Sequence, residues 1–226
     1  MFGVLVNTLA VIVGSIFGML LKKGIPERVS TVLMQGIALC TLYIGWSGTL
    51  KGSNTLVLII SMVVGIMIGE LLDLDDKLNK FSRCIEKKFK KDGDKVSIAE
   101  GFVTASLLFC IGAMTIVGSL QAGLTGDNQM LFTKSVLDLI SSFIFASTLG
   151  IGVLFSAGFV FIFQGSIVLL AQYIAPILTE VAISEMTCVG SLIIFALGLN
   201  ILGVTKIKIT NFLPAIIIVP LICLII

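Results

Sequence analysis

Long apolar runs separated by short polar breaks set the pattern of this chain. Seven of them cover residues 2–21, 29–49, 55–72, 98–120, 131–155, 185–202 and 209–226. An eighth follows a tight turn at Ser156-Ala157-Gly158 and runs to about 175, where Pro176 stops it. A membrane-spanning helix needs about 20 mostly apolar residues. The pattern therefore predicts an all-α transmembrane protein, an eight-helix bundle forming a single domain over 1–226. No positive residue precedes the first run and no small-residue cleavage site follows it, so that run reads as a retained span rather than a leader.

One polar stretch is long. Residues 73–97 carry eight Lys or Arg, while Leu74, Leu78, Phe81, Ile85 and Phe89 recur at helical spacing. That combination predicts an amphipathic helix lying on the membrane surface, its cations toward anionic headgroups. The basic residues also orient the chain, since Lys and Arg concentrate in cytoplasmic loops. With both termini outside, thirteen of the 15 Lys and Arg fall in inner loops, and only Lys51 and Lys134 fall outside. The 73–97 segment is then cytoplasmic.

The central two runs are interrupted. Gly112, Thr115, Gly118 and Ser119 punctuate the fourth, and Thr148, Gly150 and Gly152 the fifth. Two readings stand side by side. Unwound helix ends would offer partial charges to a ligand, whereas straight helices would use the glycines for close packing. Flanking them, Q-G-I-A-L-C-T-L-Y-I-G (35–45) resembles V-G-S-L-I-I-F-A-L-G (189–198), and Asn7 matches Gln164. Spans 1–3 and 6–8 then form an inverted repeat around the two glycine-interrupted central helices, a recurring transporter plan.

Composition agrees. The chain is 57% hydrophobic and 12% charged with mean hydropathy +1.15, where soluble domains carry about 25% charged residues. A net charge of +2 gives no reason to expect nucleic acid. The absence of histidine removes histidine metal sites and Ser-His-Asp catalysis. The five cysteines are scattered and read as small apolar residues. No metal site, no cofactor and no enzymatic activity are expected.

The candidate chemistry centres on Asp138. An ionisable group inside a span costs at least ~2.5–3.5 kcal/mol on insertion scales, so it must face protein or water. Lys134 lies one turn earlier on the same face, within reach of an i,i+4 pair. Asp138 reads either as a cation- or proton-coupling site or as half of a structural ion pair near the outer interface. Asn7, Gln164 and Asn200 are amides that need several hydrogen bonds each. They join Thr115, Ser119, Ser142 and Thr148 as candidate ligands, with interhelical hydrogen bonding as the plainer role.

At the centre the residues also carry a resemblance. L-L-F-C-I-G-A-M-T-I-V-G-S-L-Q-A-G-L-T-G-D (107–127), K-S-V-L-D (134–138) and A-S-T-L-G-I-G-V (146–153) resemble the bacterial membrane-protein family of unknown function typified by YqgA and YdfK. The similarity extends from Asn7 and K-K-G-I-P-E (22–27) to N-F-L-P-A (211–215). It implies a multi-pass protein of the bacterial cytoplasmic membrane, supplies no catalytic residues, and implies that Arg can replace Asn200. The leading reading is a small secondary transporter of an unidentified solute or ion. The rivals are a non-transporting scaffold or assembly protein and an oligomeric channel. The expected partners are the lipid bilayer, a small solute or cation, and a second copy in a homodimer.

Overall fold

A computed structural model describes residues 1–22, 27–80, 97–110 and 113–225 of the chain. All its regular elements are helical: α1 (Phe2–Lys22), α2 (Glu27–Thr49), α3 (Thr55–Leu71), α4 (Leu74–Lys80), α5 (Ile98–Cys110), α6 (Ala113–Leu124), α7 (Gln129–Leu149), α8 (Ile151–Leu169), α9 (Ala171–Ile174), α10 (Glu180–Ile201), a 3-10 turn (Ile209–Phe212) and α11 (Pro214–Cys223). Among the described residues five helices, α1, α2, α7, α8 and α10, are long and apolar enough to cross a membrane. The count reaches seven if the bent pairs α3–α4 (49°) and α5–α6 (60°) are each one span, and Ile209–Cys223 is a shorter apolar stretch.

Polarity runs inside out. Leu9, Phe17, Val32, Tyr43 and Ile217 are exposed, while Asn7, Ser15, Ser61, Thr104 and Gln164 are wholly buried. Water would reject such a surface, whereas lipid favours it. The chain is an all-α membrane protein.

The helices pack as two compact units. Of the described residues, the first holds 1–22, 27–33, 79–80, 97–110 and 114–173, and the second holds 34–78, 113 and 174–225.

In the first unit α1 lies between α7 and α8. Gly3, Gly14 and Gly18 set its spacing from α7. A methyl at Gly14 would strike the Leu139 carbonyl and Ser142 Oγ, and one at Gly18 the Phe143 carbonyl. The contacts advance together along both helices, so α1 and α7 run parallel. Asn128 caps α1 by accepting the Gly3 N–H at 3.0 Å.

The turn between the fifth and sixth spans is displaced from its expected place. Ser156, Ala157 and Gly158 lie inside α8, and the chain reverses at Gly150. Gly150 has φ 73° and ψ −146°, a region essentially closed to residues with a Cβ. Gly150 is therefore a corner between two spans and not an interruption within one. Apolar residues continue unbroken through 149–155, which is why periodicity runs past it. This also shifts a register. Gln164 lies far along α8, whereas Asn7 lies early in α1, so the matching of those two positions in a repeat is lost. Gly152 beside the corner receives α5: a methyl there would come 2.5 Å from the Ile98 carbonyl and 2.8 Å from Phe102 N.

The fourth apolar run holds α5 and α6, with axes 60° apart. Gly112 lies outside the described residues. Gly118 sits within α6 and faces Met130 and Leu131.

In the second unit α2 packs antiparallel on α10, and α3 on α11. A methyl at Gly45 would fall 2.5 Å from Phe195 N, and one at Gly198 2.8 Å from Leu42 Cγ. Gly65 meets Ala215, and Gly69 meets the Asn211 carbonyl. After α3 the chain bends at Asp73, which takes φ 48°, a conformation that Asp tolerates better than most residues. Of the amphipathic segment over 73–97, residues 81–96 lie outside the described residues. The described beginning, α4, is helical. Asn211 fastens the bend, donating to Glu70 Oε2 at 2.6 Å and accepting the Asp75 N–H at 2.8 Å.

Candidate functional site

The first unit concentrates its buried polarity where α1, α7 and α8 meet. Asp138 lies nine residues after Gln129, roughly 13 Å along α7 at about 1.5 Å per residue. It is 5% exposed. Lys134, on the preceding turn, donates to Asp138 Oδ1 at 2.8 Å and to Oδ2 at 2.7 Å. Asn7 of α1 donates its amide to Asp138 Oδ2 at 3.0 Å and to Gln164 Oε1 of α8 at 3.2 Å. Four side chains from three helices thus form one connected group away from solvent.

Two atoms of that group have no protein partner. Asn7 Oδ1, an acceptor, and Gln164 Nε2, a donor, are both fully buried and unsatisfied. Leaving such a group unpaired costs about 1–3 kcal/mol, and a partner with both a donor and an acceptor would satisfy the two atoms together.

Two turns beyond Asp138, α7 meets the end of α5. Phe109, at the end of α5, sets its ring at 51° to that of Phe145 of α7, with centroids 6.3 Å apart. The Phe109 carbonyl, freed where α5 ends, accepts the Thr115 hydroxyl at 2.9 Å across the break. Thr115 thus closes the joint rather than facing open space.

The other candidates divide. Ser142 bonds the Leu139 carbonyl and abuts Gly14, and Thr148 bonds the Phe145 carbonyl. Ser119 is buried, its hydroxyl without a partner. Asn200 belongs to the second unit and is spent on its own loop. It accepts from Thr205 Oγ1 at 2.7 Å and Ile207 N at 2.9 Å, and donates to the Ile207 carbonyl at 2.7 Å. Among the described residues no cluster of three or more Cys, Asp or Glu has the arrangement of a metal site.

One buried acid lies outside the sequence-derived set. Glu185 is 1% exposed. The apolar pattern starts the seventh span at 185, which makes Glu185 a terminal residue. The helix instead begins at Glu180, with Thr179 capping the Ala182 N–H, so Glu185 is inside it. The signal that could have found it is Thr179 followed by Glu180, a helix-start pattern.

No solved structure matches this chain. It is 36% identical over 230 residues to the uncharacterized membrane protein YdfK of Bacillus subtilis strain 168, spanning all of this chain and 97% of that protein. It is 31% identical over 216 residues to the uncharacterized protein YqgA of Escherichia coli strain K12, spanning 94% of this chain and 92% of that one. The family model described as "Protein of unknown function (DUF554)" matches residues 2–224, and on that full-length match together with these relatives the chain belongs to this family.

Proposed function

We propose that the protein is a small secondary transporter and not an enzyme, with its solute site at Asn7, Lys134, Asp138 and Gln164. The observation that carries the reading is the pair of unsatisfied buried atoms, Asn7 Oδ1 and Gln164 Nε2, beside a buried ion pair and a broken helix. Lys134 already neutralises Asp138, so a metal cation would have to displace it. The group suits a small polar solute with a donor and an acceptor, or a zwitterion whose charges exchange with those of the pair. A proton on Asp138 would release Lys134 in the same way.

The same reading takes eight spans, with Ile209–Cys223 as the last, in a bacterial cytoplasmic membrane with both termini outside. It also takes an inverted repeat, supported by the second unit. The shift that carries Gly45 onto Gly198 carries Leu42 onto Phe195. Gly45 packs on Phe195 and Leu42 on Gly198, so the contacts are images of each other, as a two-fold axis requires. The shift also places α2 on 180–202 and α3 on 208–224, close to the bounds of α10 and of the 209–223 stretch.

A scaffold role is favoured by one fact, that Lys134 occupies both Asp138 oxygens. The two readings separate in a thermal-stability screen of purified protein against small zwitterions, carboxylates, amides and pH, followed by uptake into liposomes. Transport predicts a ligand-dependent stabilisation in wild type that is lost in Gln164→Leu, together with uptake of that ligand. A screen without a responding ligand, with Gln164→Leu as stable as wild type, would sink it.

A further inference from the structure

The second unit holds a buried acid that the transport reading does not use. Glu185 accepts three hydrogen bonds, all on one oxygen. Oε1 takes Ser53 N–H at 2.7 Å, Ser53 O–H at 3.1 Å and Asn54 N–H at 2.9 Å. These come from the N-terminal end of α3. Oε2 is buried and has no partner. Among the described residues none forms an ion pair with Glu185. A full negative charge inside an apolar protein costs several kcal/mol unless it is paired.

Oε2 lies against the turn that joins α2 to α3. It lies beside Gly52, where an added methyl would come 3.0 Å from Oε2 and 2.6 Å from Cys188 Sγ. Around that glycine the chain turns two carbonyls toward α10. Thr49 O accepts the Cys188 thiol at 3.1 Å, and Lys51 O accepts the Ser184 hydroxyl at 2.5 Å. Thr49 ends α2, so its carbonyl carries the negative end of that helix. The Thr49 and Lys51 carbonyls thus belong to the turn beside Oε2, and each accepts a hydrogen bond from α10.

We propose that Glu185 Oε2 and the carbonyl oxygens of the 49–52 turn bind an alkali cation. Hard oxygen donors select alkali and alkaline-earth ions over softer metals. A single carboxylate neutralises one positive charge, whereas divalent sites recruit more carboxylates, so the site takes a monovalent ion. Bound there, the ion would tie the end of α2 to α10 while Oε1 holds the start of α3. The site lies in the other unit from Asp138 and stands whether or not that group carries a solute.

The test is thermal unfolding of the purified full-length protein in sodium, potassium or choline chloride at equal ionic strength and fixed pH. Wild type should gain several degrees in one alkali salt over choline, because only the folded site binds the ion. Glu185→Gln, which keeps the Oε1 acceptor and removes the charge, should lose that gain. Equal midpoints in all three salts, or a gain that survives in Glu185→Gln, would overturn the proposal. So would a midpoint that follows pH and ignores the cation, which would make Glu185 a proton site. If Glu185→Gln does not fold, equilibrium dialysis of wild type with radiolabelled sodium and potassium decides. Saturable, stoichiometric binding supports the site, and none removes it.

Discussion

Asp138 and Lys134 show how much a single turn of helix can settle. The i,i+4 spacing makes the pair available, and burial makes it obligatory, because neither charge has water to turn to. Removing one partner strands the other. Asp138→Asn or Lys134→Met should each cost about 3–5 kcal/mol, read as a lower unfolding midpoint in detergent. The double variant should recover much of that loss, and a double as damaged as the sum of the singles would show that the pair is not coupled. Asn7 has a different vulnerability. It joins Asp138 to Gln164, so Asn7→Leu should lower stability by about 1–3 kcal/mol, with the loss read in the same assay. Outside the spans, the hydrogen bond from Lys208 to Glu70 holds the Lys208 ammonium above the ordinary lysine range. That pair is exposed, and exposed pairs contribute little.

At the scale of elements the backbone decides. Gly150 turns α7 into α8 with one residue, through a φ/ψ combination that a Cβ forbids. Gly150→Ala should therefore cost about 1–3 kcal/mol. Gly158→Ala, inside α8 with open space around it, should be neutral or slightly stabilising. Comparing the two by thermal unfolding tests the corner directly, and similar midpoints would place the reversal elsewhere. Thr115 plays the complementary part at the α5–α6 joint. Thr115→Val preserves shape but strands the Phe109 carbonyl, an expected loss of about 1–3 kcal/mol, checked by the same melt. The bend after α3 depends on Asn211 in the same fashion, since its side chain answers both Glu70 and the Asp75 N–H.

At the scale of the whole molecule, the proposed orientation has its own consequence. A reporter that is active only in the cytoplasm should work when inserted within 81–96 and fail when fused after residue 226. Activity at both positions would mean an even number of crossings between them and the loss of the topology. The parallel course of α1 and α7 agrees with an even number of crossings between the starts of the first and fifth spans, since both helices then enter from the same side.

Hydrophobic content by itself determined the class of this protein. Too few charged residues for a water-facing surface, in runs long enough to span lipid, leave helices as the economical way to satisfy the backbone. The sequence also singled out Asp138, Asn7 and Gln164, because a charge or an amide in an apolar run is visible without any fold. Their meeting was not visible, since Asn7 and Asp138 are 131 residues apart and only helix packing brings them within 3.0 Å. Asn200 is equally conspicuous in the sequence, yet its own loop claims it. Glu185 was overlooked because an apolar pattern cannot distinguish a terminal acid from one a turn inside the helix. The corner at Gly150 was hidden for a related reason. Hydrophobicity reports what surrounds a residue, not where the backbone turns, and a positive φ appears only when the chain on either side has somewhere to go.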